Sequence, residues 1–461
     1  MSEPTAAAAL ASFCTDLSWS TLEAEVQART KELLLDHLGV AVRGCSEASS
    51  APVVEFVQGM QAGGPSTVVG ADFCTAPAWA ALANGTAAHA IEMDDVTCES
   101  SLHPGAVVIP AALAHAEAEG ADAAAVLGAI VAGYEVMLRV GNALNPAAAY
   151  RRGFHPTGVA GVFGAATAAG CLLGLDADIL ARALGIAGTM ASGSLEYLAG
   201  GAWTKRLNPG WAAHAGIVAA ALARNGFTGP ETVFEGSLGL LKGYTDQPHG
   251  QRLLDGLGQA LQILTVAIKP YGCCRYNHGL IDCVLALKEE GEIRLDEVEK
   301  MRLGVLRAGA LLVAEPSARK RAPESTVDAQ FSALFAAAVA LVRGAADVDQ
   351  YTRANLDDPG IRSLMARTEC YHDPALDAVY PRQWPAAVQI ELRGGRTLST
   401  RIDYPKGEPE NPVSRTDLVK KFVALTSPLL RPESAHELAR RILDFEREES
   451  IAAVLGMLGK Q

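Results

Sequence analysis

The chain has 461 residues, 49% hydrophobic and 6% aromatic, with 45 glycines and a net charge of −13. That length predicts more than one domain, and the small, apolar composition predicts tightly packed helices. The acidic balance argues against a nucleic-acid partner, and no apolar run approaches the roughly 20 residues of a membrane span.

Met1–Leu10 lacks the basic start and long apolar core of a signal peptide. The nine cysteines contain no C-x-x-C spacing, so neither zinc nor an iron–sulfur cluster is expected, and reduced thiols predict a cytoplasmic location. From Met1 to about Thr265 the pattern is helix after helix. Leu22–Val42 carries Leu33, Leu34, Leu38 and Val40 at amphipathic spacing. Next comes His89-Ala90-Ile91-Glu92-Met93-Asp94-Asp95, then Glu99 and Leu102-His103-Pro104-Gly105. Two histidines and four carboxylates thus stand between small, apolar flanks. A loop of solvated acids is one reading. A proton-transfer site, where neighbours tune the ionisable groups, is the other. His89, Asp94, Asp95 and His103 also have the chemistry of metal ligands.

Further helices are predicted over Ala106–Ala118, Ala121–Val140, Gly158–Leu175 and Trp211–Arg224. Before the last two stand Arg151-Arg152-Gly153-Phe154-His155-Pro156-Thr157 and Thr204-Lys205-Arg206-Leu207-Asn208-Pro209-Gly210. Proline favours a helix start, so both prolines mark expected N-termini, where free backbone N–H groups can hold an anion. From Val266 to Asp403 the pattern is mixed. It opens with Lys269-Pro270-Tyr271-Gly272-Cys273-Cys274-Arg275-Tyr276-Asn277-His278. A strand is predicted at Met301–Leu306 and a helix at Ala329–Arg343. Val388–Arg393 alternates, and Gly394-Gly395 turns it into Thr397–Ile402 as a hairpin. After the loop Tyr404–Pro412, Asp417–Leu458 is helical again, as if the chain returns to its first domain.

As a set these segments resemble the MmgE/PrpD family. The resemblance runs through Asn84-Gly85, His89 to Asp95, His103-Pro104, Gly153 to Thr157 and Lys205 to His214. It continues through Phe227 to Pro230, Lys269 to His278 and Ala329 to Ser332. It implies a mainly α protein: a large all-helical domain from both chain ends (1–265 and 404–461), with a smaller α+β lid domain inserted (266–403). It also implies a homodimer that works without metal or organic cofactor on a small polycarboxylate. Three positions depart from the family pattern. Glu92 stands where aspartate is common, Asn208 where histidine is frequent, and Cys274 where cis-aconitate decarboxylases carry histidine.

Removing a proton beside a carboxylate builds negative charge that fixed cations stabilise. His103, His155, Lys205 and Lys269 are the expected catalytic residues. Glu92, Asp94, Asp95, Arg206, Cys274 and His278 are expected to bind substrate. The leading expectation is a hydro-lyase acting on a hydroxy di- or tricarboxylate. The alternatives are an epimerase or isomerase, a decarboxylase, and, from another class, a non-catalytic carboxylate-binding protein.

Overall fold

The structure, a computed structural model, describes residues 4–291 and 293–459. It is mainly helical with a small sheet region. Two large hydrophobic cores divide it. The first gathers Leu33, Phe163 and Ile263 together with Leu418, Phe422 and Val454 from the other end of the chain. The second lies between them in sequence and includes Ile281, Met301, Phe335 and Ile390.

At the centre of the first core runs the helix Pro156–Leu172, packed on Gly105–Glu119, Ala123–Leu144 and Thr204–Arg224. Small residues set this spacing: a Cβ on Gly133 would lie 2.8 Å from the Gly164 carbonyl oxygen. Local signals set the ends. Asp122 caps Ala123–Leu144 by accepting from Ala125 N, and Gly120, at φ 64°, ends Gly105–Glu119 in the left-handed conformation. Ala123–Leu144 is long and apolar enough to cross a membrane, contrary to the sequence expectation. Here its apolar surface is spent on neighbouring helices, since 89% of its most apolar window is buried.

The second core covers one face of a four-stranded sheet. Its order is Thr368–His372, Val298–Val305, Ala386–Leu392, Thr397–Ile402. The first pair is parallel and the others antiparallel, and the last two form the hairpin predicted around Gly394-Gly395. Two short antiparallel ribbons interrupt the helical region. One joins Ser66–Thr67 to Cys74–Thr75 and the other Val96–Thr97 to Val266–Ala267.

Two predicted elements differ. The Ala329–Arg343 helix is broken into Thr326–Gln330 and Ala333–Arg343, because Ser332 turns its hydroxyl to cap Phe335 N. The helix expected from Trp211 begins at Thr204 instead. Pro209 therefore lies inside it, leaving only the Lys205 carbonyl without its usual partner. Asn208-Pro209-Gly210 is not a helix N-terminus and offers no anion cradle.

Candidate functional site

Four helix ends and one ribbon assemble the site. His89 follows the helix Pro77–Ala88, and His103 stands just before Gly105–Glu119. His155 is the N-cap residue of Pro156–Leu172, while Lys205 lies in the first turn of Thr204–Arg224. The ribbon pairs Val96 with Ala267 and Thr97 with Val266. Continuing that register by two residues sets Asp94 opposite Lys269, and their side chains are 3.5 Å apart. Glu92, at φ 58°, adopts a backbone conformation that L-residues rarely take. Its carboxylate is paired tightly with Lys205 and lies 3.8 Å from Lys269.

All these groups are buried. Asp94 Oδ2 lies 2.6 Å from His89 Nδ1 and 3.3 Å from His103 Nδ1. His103 Nδ1 is also 2.8 Å from the Asp95 carbonyl oxygen. A carbonyl only accepts, so His103 Nδ1 carries the proton and Nε2 keeps its lone pair. Burial alone would raise both carboxylates. Lys205 and Lys269 outweigh it at Glu92, bringing the pKa down to about 2. The attraction of His89, His103 and Lys269, with the His103 hydrogen bond, holds Asp94 well below the ordinary range despite its burial. Burial lowers His103 to about 4 despite Asp94, and it lowers His89 and His155 as well. At neutral pH the site therefore holds fixed carboxylate–ammonium pairs and uncharged imidazoles.

Glu92, His103, His155, Lys205 and Cys274 line one cavity together with Phe331 and Trp384. Lys269 and Asp94 stand behind Glu92 and His103 as their electrostatic support. Asp94, expected to bind substrate, does not line the cavity, and three more expected substrate-binding residues lie elsewhere. Arg206 turns away to Ser49 Oγ at 2.8 Å and Glu47 at 3.5 Å, because the neighbouring Lys205 takes the inward face of the helix. Asp95 accepts from Gly105 N at 2.8 Å and from Tyr134 Oη at 2.7 Å, so its carboxyl caps a helix instead of facing substrate. Burial lifts that carboxyl to about 7. His278 sits behind the cavity wall, 2.9 Å from Arg275 Nη1 and 3.3 Å from the Cys273 carbonyl. Arg151 and Arg152, which precede His155, are exposed and bind Asp246, Gln247 and the Gly243 carbonyl.

The structure adds residues that sequence reasoning left out of the site. Tyr150, Tyr197 and Arg275 line the cavity, and Asn208 reaches His155. His89, expected within the proton-transfer cluster or as a metal ligand but given no role of its own, has its ring centre 4.7 Å from that of His103. Tyrosines near small-residue helices carry no sequence signal separating a cavity wall from a core. Asn208 lies three residues after Lys205 on one helix, and this spacing was the available clue.

His89, Asp94 and His103 bring their ligand atoms within 4.8 Å of one another and are the described residues that could hold a metal ion. Both Nδ1 atoms already engage Asp94, and the Lys269 ammonium is 3.5 Å from its other oxygen. A divalent cation there would be opposed by the lysine. Larger clefts of about 480 and 600 Å³ lie elsewhere, around Trp19 and Leu238, and gather no comparable set of ionisable groups. The arrangement at His103 is one that can accept a proton while cations face the charge left behind.

The chain is 28% identical to the cis-aconitate decarboxylase-like protein oryM of Aspergillus oryzae, covering 98% of this chain and 96% of that protein. It is 26% identical to a cis-aconitate decarboxylase of Aspergillus terreus, covering 97% and 94%. The cis-aconitate decarboxylase of Mus musculus is 28% identical over 93% of this chain and 88% of its own length. Residues 8–252 match the MmgE/PrpD N-terminal domain and residues 271–446 the C-terminal domain. The chain belongs to the MmgE/PrpD family.

Proposed function

We propose that the protein is a hydro-lyase that removes water from a small hydroxy di- or tricarboxylate without metal or organic cofactor. The observation that carries this reading is the His103 tautomer. Its Nδ1–H is held by the Asp95 carbonyl, which leaves the Nε2 lone pair of a cavity-lining ring as a base. Asp94, held anionic behind it, stabilises the imidazolium formed when His103 takes the proton. Lys205 faces the charge that develops on the substrate carboxylate. The C–H electron pair forms the new double bond as the C–O bond breaks, and the imidazolium of His103 returns the proton to the departing hydroxyl, which leaves as water.

The cavity is small, about 30 Å³, room for roughly two waters. A hydroxy acid needs more, so the smaller unit is proposed to act as a lid that swings open for entry and closes to exclude water.

Decarboxylation is the second reading, favoured by the names of the relatives. It needs a proton donor to the new carbanion, whereas dehydration needs a base, and the His103 tautomer favours the base. The test is a panel of citrate, 2-methylcitrate, aconitate and iminodisuccinate analogues. A growing C=C absorbance without carbon dioxide supports dehydration. Carbon dioxide release establishes decarboxylation in its place, and change in optical rotation alone establishes epimerisation. Binding without turnover of any acid would leave a carboxylate-binding protein.

A further inference from the structure

His155 is a buried N-cap residue whose ring faces the cavity. Its Nδ1 lies 3.0 Å from Asn208 Nδ2. An amide NH2 only donates, so this contact makes Nδ1 the acceptor and leaves the ring proton on Nε2. His103 has the opposite arrangement, with its proton on Nδ1. Asn208 follows Lys205 by three residues in the helix Thr204–Arg224, so both side chains project from one helical face. A single turn therefore delivers the cation and the contact to His155.

We propose that Asn208 is a positioning residue: it holds His155 as the Nε2–H tautomer, so that this ring meets the substrate as an uncharged hydrogen-bond donor opposite the His103 base. The catalytic part rests on the proton-transfer reading above, but the tautomer itself belongs to the free protein. The groups facing His155 are Lys205, His89, His103, Asp94 and Tyr197. Burial and the nearby Lys205, His89 and His103 keep its pKa well below the usual histidine value, with Asp94 opposing them. The ring thus stays neutral around pH 7, and what it offers is decided by tautomer alone. A neutral imidazole N–H aimed at an oxygen that gains charge stabilises that charge while keeping its proton. The substrate proton goes to His103 Nε2, the electron pair shifts toward the carboxylate, and the His155 N–H···O bond strengthens.

The test is nitrogen NMR on histidine-labelled protein, with His155 assigned by the signals lost in His155→Gln. The expected result is a protonated Nε2 and an unprotonated Nδ1 throughout the neutral range. Asn208→Asp replaces the donor with a carboxylate that only accepts, so the proton should move to Nδ1 and His155 should begin to titrate. On a turned-over substrate, kcat should fall about 10- to 100-fold, the scale of one misdirected donor, with KM little changed. The pH–rate profile should gain a limb that wild type lacks. Asn208→Leu, which neither donates nor accepts, should give a mixed tautomer and an intermediate rate. A proton on Nδ1 in wild type, or the same tautomer in Asn208→Asp, would overturn the proposal. An Asn208→Asp enzyme with altered tautomer but unchanged rate would overturn its catalytic part. If no acid in the panel reacts while the tautomers behave as stated, the elimination reading falls and the Asn208 contact stands.

Discussion

Replacing Lys269 by methionine tests whether the buried charges are balanced as the geometry states. The lysine is fully buried, and its ammonium lies 3.5 Å from Asp94 and 3.8 Å from Glu92. At 3.5 Å, with an effective dielectric of about 20, one such attraction is about 5 kcal/mol. Methionine fills much the same volume but leaves Asp94 without its lysine, out of water and beside a Glu92 that keeps only Lys205. Breaking a buried pair in this way costs about 3–5 kcal/mol. Adding Asp94→Asn removes the stranded charge while keeping an oxygen for the His89 and His103 N–H groups. Urea unfolding of wild type, both single variants and the double variant closes a cycle. We expect a coupling energy of about 1–3 kcal/mol, with the double variant more stable than Lys269→Met. Turnover should stay lost in the double variant, because neutrality restores the fold and not the cation. A Lys269→Met midpoint equal to wild type would refute the charge balance. Turnover regained in the double variant would remove Lys269 from catalysis.

His155→Ala should leave a folded protein with activity lowered by roughly 100-fold or more; a full rate with a native circular dichroism spectrum would make His155 merely structural. Asp95, lifted to about 7, holds a proton in the folded chain that the unfolded chain has released, so stability should fall as pH rises from about 4 to 7. Asp95→Asn should flatten that slope, of up to about 1.4 kcal/mol per pH unit, in denaturant titrations at stepped pH. A polycarboxylate that closes the smaller unit should slow hydrogen exchange in Lys269–His278, and unchanged exchange at saturation would argue against closure. Turnover should survive exhaustive EDTA or phenanthroline treatment; loss restored by one added metal would replace the lysine-and-histidine mechanism with a metal site at His89, Asp94 and His103.

Much of this fold was legible because its signals are local. The glycine turn and alternating residues around Gly394-Gly395 predicted the hairpin, and small-residue periodicity predicted Pro156–Leu172 within two residues of its start. Pro209 misled because proline marks a helix start only on average, and here the helix tolerates it one turn further in. For the site, residue types, clustering and the family resemblance grouped His103, His155, Lys205 and Glu92, and the structure places these four on one cavity. They could not separate Lys205 from Arg206, or Asp94 from Asp95. Adjacent residues point to different sides of a helix or loop, and which side faces the cavity depends on what packs there. Arg206 found Glu47 and Ser49, and Asp95 found the exposed amides of the next helix start. Those partners lie tens of residues away, so no local pattern contains them.

The glycines tie the fold to the chemistry. A Cβ on Gly210 would sit 2.3 Å from the Leu82 carbonyl oxygen, and one on Gly85 would sit 2.9 Å from Gly210 Cα. The helices Pro77–Ala88 and Thr204–Arg224 therefore touch backbone to backbone. The first leads into His89 and Glu92, and the second carries Lys205 and Asn208. Their closest approach lies within two turns of both sets, so it fixes how far Lys205 can reach toward Glu92 and Asn208 toward His155. Any side chain at Gly85 or Gly210 would have to push the helices apart, and pairs that depend on tenths of an ångström would loosen first. The same reasoning explains why so apolar a region tolerates buried charges. A rigid small-residue frame holds each carboxylate against its cation before substrate arrives, and desolvation is offset only when that geometry is kept.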